Sequence, residues 1–295
     1  MPLELKSPCK VNLLLNILGK RSDGFHELET VMHPVPLHDL LRFQKAVRGI
    51  QLTCSDPLLP TDARNLVYRA TEKFLARTGV SDGVQIHLEK HIPHAAGLGG
   101  GSGDAATTLL GLNQLFDSPA TSQELFEIAS ALGSDIPFFL QDRPALATGR
   151  GEKIESIEFF PALRGWHILL IHPGFGISTP WSYQQLARFP DALNGRPGRA
   201  QKLISLLQTD SPADAASEFY NSLEAPALHK YPLLGIIQDF FRENGAAVAL
   251  MSGSGSATFA LTPDQTTGEV LREKFIARFG ETFWTKVVPM SECAH

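Results

Sequence analysis

Hydrophobic and polar residues alternate along the first half of the chain in the period-two pattern of half-buried β-strands. The clearest run places Val84, Ile86 and Leu88 on the face opposite their polar neighbours. Turn residues separate the runs, so each predicted strand is short. The pattern predicts strands at Leu3–Lys6, Val11–Leu18, Leu28–Val35, Leu40–Gln44, Ile50–Cys54 and Val84–Leu88.

Three helices are predicted in the first half from the residues that begin and end them. Asn65 is a good N-cap and Gly79 a good stop for a helix over about 65–77. A second helix follows a glycine cluster and runs from about 104 to 116. Thr121 and Glu124 stand in capping-box spacing at the start of a third helix, which ends at Gly133.

A polar, irregular stretch at 149–157 precedes a new apolar strand at 166–171. The pattern then predicts several helices up to about 242, strands at 246–251 and 257–261, a helix to about 279, and a strand through 287 and 288. Helices collected on one face of a small, largely antiparallel sheet are typical of the α+β class. We therefore predict an α+β chain of two domains, residues 1–158 and 159–295.

Composition supports a globular protein and excludes several classes of partner. Of 295 residues, 43% are hydrophobic and 19% charged, and Lys plus Arg number 26 against 31 Asp plus Glu, a net charge of −5. Without a run of like charges, general binding to nucleic acid or to a membrane surface is disfavoured. The longest apolar stretches fall well short of the roughly 20 residues that a membrane span needs. Three cysteines without CxxC spacing favour neither disulfides nor zinc, so we expect a cytoplasmic protein.

The strongest local feature is a glycine cluster between a predicted strand and a predicted helix. Five of the seven residues from Gly97 to Gly103 are glycine. Converging backbone N–H groups and a helix N-terminus hold phosphate well, although a linker or a tight turn is the plain alternative. The P-loop lysine is absent, and the dinucleotide pattern is matched only weakly by Gly101, Gly103 and Ala106, without an evident parallel βαβ unit. The loop alone therefore indicates a nucleotide or phosphate binder.

Other candidate residues have plain structural alternatives. Lys10 is one charge in an apolar strand, as an exposed edge residue would be, and Asp135 lies in a Gly-Ser-Asp-Ile-Pro turn. Phe25 and His26 follow a Ser-Asp-Gly turn and would suit either surface packing or the binding of a base. The segment 252–256, Ser-Gly-Ser-Gly-Ser, would equally be a hairpin turn. His87, His91 and His94 complete no metal motif.

Three segments together resemble the GHMP family of small-molecule kinases over essentially the whole chain. They are Ser7-Pro-Cys-Lys-Val-Asn-Leu-Leu-Leu15, Pro93-His-Ala-Ala-Gly-Leu-Gly-Gly-Gly-Ser-Gly-Asp-Ala-Ala106 and Met251-Ser-Gly-Ser-Gly-Ser-Ala257. The resemblance implies the two-domain GHMP fold: an N-terminal β-meander with helices, a C-terminal small antiparallel sheet with helices, and an active site in the cleft between them. The chain departs from the common pattern at Ala95 and Ala96, where glycines are frequent, at Gly103, a frequent serine, and at Phe25, often tyrosine.

Further segments resemble the family members that phosphorylate the 2-hydroxyl of 4-diphosphocytidyl-2-C-methyl-D-erythritol, a cytidine diphosphate-linked methylerythritol. They lie at Gly19–Leu28, Leu132–Phe138 and Pro173–Pro180, with a weaker match at Asn221–Glu224. The remaining alternatives are a homoserine- or mevalonate-type kinase, a catalytically silent nucleotide sensor on the same fold, and an NAD-dependent oxidoreductase. The Asp-Gly-Phe-His segment disfavours the other kinases, since their substrates carry no base to stack.

The resemblance also implies the residues of the site. ATP is expected as phosphoryl donor and Mg²⁺ as its counter-ion, with metal ligands and oligomeric state left unassigned. Asp135 is expected as general base with Lys10 beside it, and Asn12 on the same side of the strand. Phe25, His26, Thr179 and Tyr183 are expected at the substrate. The nucleotide loop is expected to comprise Pro93, His94, Ala95, Ala96, Gly97, Leu98, Gly99, Gly100, Gly101, Ser102 and Gly103.

Overall fold

A computed structural model describes residues 2–209 and 211–290 of the chain. These residues form two compact units that interleave along the sequence. The first unit takes the chain up to Cys9, Leu37–Ile92 and Gly99–Asp142; the second takes Lys10–Pro36, Pro93–Leu98 and the described residues from Arg143 onward. The division into 1–158 and 159–295 therefore stays a prediction, because the units are not separated by one boundary.

The first unit combines strands with three helices. Its strands are the beginning of β1 (Leu3–Lys20), the end of β2 (His26–Ala46), β3 (Ile50–Cys54) and β4 (Gly83–Glu89). Strand β4 pairs antiparallel with β2, from Leu40 opposite Glu89 to Ala46 opposite Gly83, and parallel with β3. The connection from β3 to β4 is α1 (Leu66–Thr78), which packs on α2 (Gly100–Leu115) and α3 (Ser122–Leu132). Large apolar side chains from both strands and helices of this unit are buried, including Phe43 of β2, Phe74 of α1, Ile86 of β4 and Leu109 of α2.

The second unit contains the remainder of β1 and β2 and a separate sheet. Strand β2 pairs antiparallel with β5 (Ala145–Gly149), β5 pairs with β6 (Lys153–Ser156), and β1 pairs parallel with β8 (Tyr220–Asn221). The separate sheet is antiparallel in the order β11-β7-β10-β9, made of β7 (His167–His172), β9 (Val248–Met251), β10 (Thr258–Thr262) and β11 (Trp284–Pro289).

Six helices belong to the described part of the second unit. They are α4 (Thr179–Gln185), α5 (Pro190–Leu193), α6 (Arg199–Thr209), α7 (Glu224–Lys230), α8 (Pro232–Glu243) and α9 (Gln265–Phe279). Helices α8 and α9 cover the antiparallel sheet, where Phe241 and Phe275 pack on Leu169 and Ile171. The predicted α+β class is confirmed by this mixture of sheets and packed helices.

Several local predictions are corrected by the structure. The paired short strands near the N-terminus are two long strands, β1 and β2, and the polar stretch predicted as irregular contains β6. Strands β3 and β4 form a parallel pair around α1, a unit that the sequence did not reveal. Helix α2 begins at Gly100 rather than near residue 104, so the end of the glycine cluster is helical. Across residues 2–209 and 211–290, every helix is too short or too polar to span a bilayer.

Candidate active site

Lys10 and Asn12 lie on one side of β1 and are bonded to each other. The Lys10 ammonium donates to Oδ1 of Asn12 at 2.5 Å and to the carbonyl of Gly97 at 3.1 Å. Asn12 in turn donates through Nδ2 to the Thr30 hydroxyl at 2.8 Å. Lys10 and Asn12 are each only 3% exposed, which excludes an exposed edge lysine. A buried ammonium needs hydrogen-bond acceptors, and Asn12 Oδ1 and the Gly97 carbonyl provide them for the positive charge of Lys10.

The first half of the glycine loop, residues 93–98, is fixed around this lysine. The carbonyl of Gly97 accepts from Lys10 and also from the Ser252 hydroxyl, at 3.0 Å. Gly97 has φ +80°, and a Cβ there would lie 2.1 Å from the Ser252 carbonyl oxygen. Ala95 has φ +53°, a left-handed conformation that costs a non-glycine residue about 1 kcal/mol.

The second half of the glycine loop forms the start of α2 in the first unit. Helices α1 and α3 are capped by the side chains of Asn65 and Thr121, as predicted. At α2 the N-cap is Gly99, with φ +71° and no side-chain hydrogen bond to the first turn. The N-terminal N–H groups of α2 thus have no side-chain cap, which is the arrangement in which a helix start binds an anion.

A buried charge cluster supports the start of α2 from within the first unit. The Lys90 ammonium contacts carboxylate oxygens of both Asp39 and Asp104, the latter at 2.8 Å. Burial raises the pKa of Asp104, and the Asp39 charge raises it further against the opposing effect of Lys90. Burial lowers the pKa of Lys90, but the two carboxylates outweigh this and raise it overall. The Lys90 ammonium is therefore shared by the side chains of Asp39 and Asp104. Of these two, Asp104 holds its proton more tightly than an exposed aspartate does.

The loop between β9 and β10, residues 252–257 (the 252–257 loop), closes another side of the Lys10 position. The Ser252 hydroxyl bonds to Gly97 and accepts weakly from the Asn12 N–H at 3.4 Å. A Cβ at Gly253 would lie 3.3 Å from both the Lys10 ammonium and Asn12 Oδ1. This loop is therefore more than a hairpin turn, because Ser252 bonds to the carbonyl that holds Lys10 and a side chain at residue 253 would contact that lysine.

Helix α4 brings two of the predicted substrate residues to one face. The rings of His26 and Tyr183 have centroids 5.2 Å apart and are tilted by 40°. Burial, and secondarily the charge of Lys20, lowers the pKa of His26, so its imidazole is neutral near pH 7. Thr179, one turn from Tyr183, shares a 2.8 Å hydrogen bond with the Ser254 hydroxyl. An apolar ring beside a neutral imidazole suits a flat heterocycle with hydrogen-bonding edges.

Phe25 is not part of this ring pair. It is 54% exposed, and the Arg150 guanidinium lies 4.6 Å from its ring centroid. Such a cation–π contact fixes the ring at the start of β2 without burying it. Phe25 therefore contacts Arg150, whereas His26, the next residue in the sequence, contacts Tyr183.

Asp135 lies in the first unit, half-buried in the turn between α3 and a short 3₁₀ helix at Pro137–Leu140. Lys10 lies in the second unit, so their pairing stays a prediction. Within the described ranges, 2–209 and 211–290, no three side chains of His, Cys, Asp or Glu converge as a ready metal site. The second unit by itself brings together Lys10, Asn12, residues 93–98 and the 252–257 loop.

Sequence reasoning missed the residues that hold these loops. Ser252, Asn221, Lys90 and Asp104 were not predicted as site residues, although each bonds a loop or supports its end. The weak match at Asn221–Glu224 was the available signal for Asn221, and the motif segments 251–257 and 93–106 contain Ser252 and Asp104. Pairing of Lys90 with Asp39 and Asp104, 51 and 14 residues away, has no local signature.

Two family models match the chain. The GHMP kinases N terminal domain matches residues 65–143, and the GHMP kinases C terminal model matches residues 191–281. A 4-diphosphocytidyl-2-C-methyl-D-erythritol kinase from Syntrophomonas wolfei subsp. wolfei is 39% identical over 95% of this chain and 96% of its own length. The kinase of the same name from Pelotomaculum thermopropionicum is 43% identical over 87% of this chain and 88% of its own.

Solved structures give the same relationship. A crystal structure of 4-(cytidine 5'-diphospho)-2C-methyl-D-erythritol kinase superposes with a TM-score of 0.78 at 33% identity, covering 97% of this chain and 99% of that one. Homoserine kinase from Cytophaga hutchinsonii superposes with a TM-score of 0.73 at 18% identity, over 99% and 95% of the two chains. The second similarity is one of fold alone.

Proposed function

The chain belongs to the GHMP kinase family, and we propose that it phosphorylates the 2-hydroxyl of 4-diphosphocytidyl-2-C-methyl-D-erythritol with ATP. The products are the 2-phosphate and ADP, a step of the methylerythritol phosphate pathway to isoprenoid precursors. Relatives at 39% and 43% identity that carry this kinase's name support the substrate. ATP and the acceptor are small molecules, and we propose the cytoplasm as the compartment because the cysteines are few and scattered.

One observation carries the choice of substrate within the family. His26 and Tyr183 form a ring pair in the same unit as Lys10 and Asn12. Homoserine and mevalonate contain no nucleobase, so neither of them could stack on this ring pair. A cytosine ring would stack on Tyr183 and receive or donate edge hydrogen bonds at the neutral imidazole. Thr179, on the same helix face, would contact the phosphate or sugar that follows the base.

The reaction forms one bond and breaks one bond at phosphorus, and it moves one proton. The substrate oxygen attacks the γ-phosphorus, the bond from that phosphorus to the bridging oxygen breaks, and ADP leaves with the electron pair. We propose that Asp135 accepts the hydroxyl proton and that Lys10 offsets the charge on the transferring group. Asn12 holds Lys10 through its 2.5 Å hydrogen bond and would orient the methylerythritol end.

The polyphosphate of ATP is proposed to lie on the glycine loop. The uncapped N-terminus of α2 and the glycine backbone supply N–H donors in place of a basic side chain. Mg²⁺ would enter with the nucleotide, because phosphate oxygens are the hard ligands that this ion prefers. When bound, that ion supplies neutralisation of phosphate charge.

An ADP-release assay tests the function. Purified protein is offered ATP with the cytidyl diphosphate substrate, homoserine or mevalonate, and the product is identified by mass spectrometry and phosphorus NMR. We expect turnover of the cytidyl compound, with kcat/KM at least about 100-fold above the other two. Preferred turnover of homoserine or mevalonate would contradict the substrate, and nucleotide binding without any turnover would favour a silent sensor.

A further inference from the structure

Asn221 binds the backbone at the start of the 252–257 loop. Its buried amide Nδ2 donates to the carbonyl of Met251 at 2.7 Å and to the carbonyl of Gly253 at 2.8 Å. Its Oδ1 accepts from the Leu223 N–H at 2.9 Å, which fixes which end of the amide faces the loop. All the hydrogen-bonding capacity of this amide group except one lone pair is therefore spent on backbone groups.

Glu224 holds the same segment through a different backbone group. Its Oε1 accepts from the Met251 N–H at 2.7 Å and from Nε2 of Gln238 at 2.6 Å. Gln238 is held in turn by Arg242, which also donates to the Ala249 carbonyl at 2.9 Å. Asn221 and Glu224 together bind three backbone groups across Met251–Gly253, where β9 gives way to the loop.

These backbone groups lie next to the Lys10 position. A side chain at residue 253 would contact the Lys10 ammonium, and Ser252 bonds to the Gly97 carbonyl that also accepts from Lys10. A shift of Gly253 would therefore open one side of the lysine, and a shift of Ser252 would release the carbonyl that anchors it. Gly253 therefore lies between the Asn221 amide and Lys10.

We propose that Asn221 and Glu224 are positioning residues for phosphoryl transfer, which hold the 252–257 loop so that Lys10 stays aligned. The inference rests on the proposed function, because it assigns Lys10 a role in the transition state. It differs from a purely structural role, which would change the fraction of folded protein but not the rate of each folded molecule. Positioning errors near 1 Å reduce catalytic rates by about 100-fold, so the effect is measurable.

Asn221→Asp is the sharpest variant. It keeps the volume and the acceptor for Leu223, but it puts an oxygen where the two carbonyls of Met251 and Gly253 need a donor. Asn113→Asp is the matched control, because Asn113, in the first unit, also donates through Nδ2 to a backbone carbonyl and accepts at Oδ1 from a backbone N–H, both of Ala120. Both variants exchange an amide donor for an oxygen next to a backbone carbonyl.

We expect Asn221→Asp to lower kcat by about 30-fold, with KM for ATP and for the acceptor within about 3-fold of wild type. Asn113→Asp should retain kcat within about 2-fold at a comparable loss of melting temperature. The concentration of folded enzyme is measured by circular dichroism and used to normalise kcat. Unchanged normalised kcat in Asn221→Asp, or a change confined to KM, would overturn the proposal.

A second pair of variants keeps the test valid if Asn221→Asp does not fold. Glu224→Gln retains an acceptor oxygen for Met251, and it should keep kcat within about 3-fold, whereas Glu224→Met removes that acceptor and should lower it by about 10-fold. Equal kcat in these two variants would also overturn the proposal.

The result is separable from the proposed function. The wild-type enzyme alone decides which acceptor is phosphorylated, whereas the positioning role is judged from the ratio of variant to wild type. This ratio is measured on whichever acceptor the wild type turns over. A wild type that prefers homoserine would refute the substrate and leave the ratio of Asn221→Asp to wild type as the test of positioning.

Discussion

The hydroxyl of Ser252 donates a 3.0 Å hydrogen bond to the carbonyl of Gly97, across 155 residues of sequence. The same carbonyl accepts from the Lys10 ammonium, so the glycine loop and the 252–257 loop meet at the lysine. The contact is close enough that a Cβ on Gly97 would lie 2.1 Å from the Ser252 carbonyl oxygen and 2.9 Å from the Gly255 nitrogen.

Gly97→Ala should separate the two loops. The added methyl group cannot fit without moving backbone, so we expect destabilisation well above the roughly 1 kcal/mol of the left-handed conformation alone, and a large loss of kcat. Gly79→Ala is the control, since Gly79 has φ +70° but open space around a Cβ. Urea unfolding measures the stability of both variants, and ADP release measures their kcat. Equal losses of stability would contradict the prediction, because they would show that the crowding at Gly97 adds nothing to the cost of the left-handed conformation.

Asp135→Asn should nearly abolish turnover while leaving nucleotide binding intact. The amide cannot accept the hydroxyl proton, so we expect kcat to fall by about 100- to 10,000-fold. The Kd for ATP, measured by isothermal titration calorimetry, should stay within a few-fold of wild type. The exposed Asp82→Asn serves as control, and near-normal activity of Asp135→Asn would refute its role as base.

Tyr183→Ala should weaken binding of the cytidyl substrate in particular. Stacking of a base on an aromatic ring contributes about 1–3 kcal/mol, so KM for that substrate should rise by roughly 5- to 150-fold while KM for ATP changes little. Tyr68→Ala, on α1 of the first unit, removes a half-buried tyrosine elsewhere and should leave both KM values unchanged. A rise in KM for ATP of the same size would place Tyr183 at the nucleotide instead.

Asp104→Asn should make the protein more resistant to high pH. Because the pKa of Asp104 is raised in the folded state, its contribution to stability is fully present at low pH and is lost as pH rises through the folded pKa. Because folding raises this pKa from 3.8 to about 7, the loss occurs between about pH 4 and pH 7, where wild type should lose up to about 1.4 kcal/mol per pH unit relative to Asp104→Asn. Urea unfolding across this range measures it, with exposed Asp117→Asn as control, and parallel curves for Asp104→Asn and wild type would contradict the prediction.

Elements with local start and stop signals were predictable from the sequence. Asn65 and Gly79 delimit α1, and the Thr121–Glu124 capping box begins α3, as the structure confirms. Strand β2 was predicted as two strands, Leu28–Val35 and Leu40–Gln44, yet it is continuous and includes Pro34 and Pro36. The start of α2 was missed because glycine disfavours helix, whereas there Gly103 packs so closely that a Cβ would lie 2.4 Å from the Pro8 carbonyl oxygen.

The site was predictable only where a motif named its residues. Motif matching identified Lys10, Asn12 and the glycine loop, and the structure brings Lys10, Asn12 and the first half of that loop together. Burial of Lys10 and the bonds of Asn221 to Gly253 depend on residues far apart in sequence, so no window of local sequence contains them. Phe25 was expected with His26, but its contact with Arg150 depends on a partner 125 positions along the chain.

The double acceptor at Gly97 also bears on biosynthesis. Lys10 lies in β1, whereas the hydroxyl that bonds to the same carbonyl belongs to residue 252. Contacts between residues so far apart in sequence form late in folding, because the long intervening loop must close before the contact contributes to stability. A nascent chain in which residue 252 has not yet been added therefore lacks the hydroxyl that shares this carbonyl, and we expect Lys10 to be catalytically silent in it.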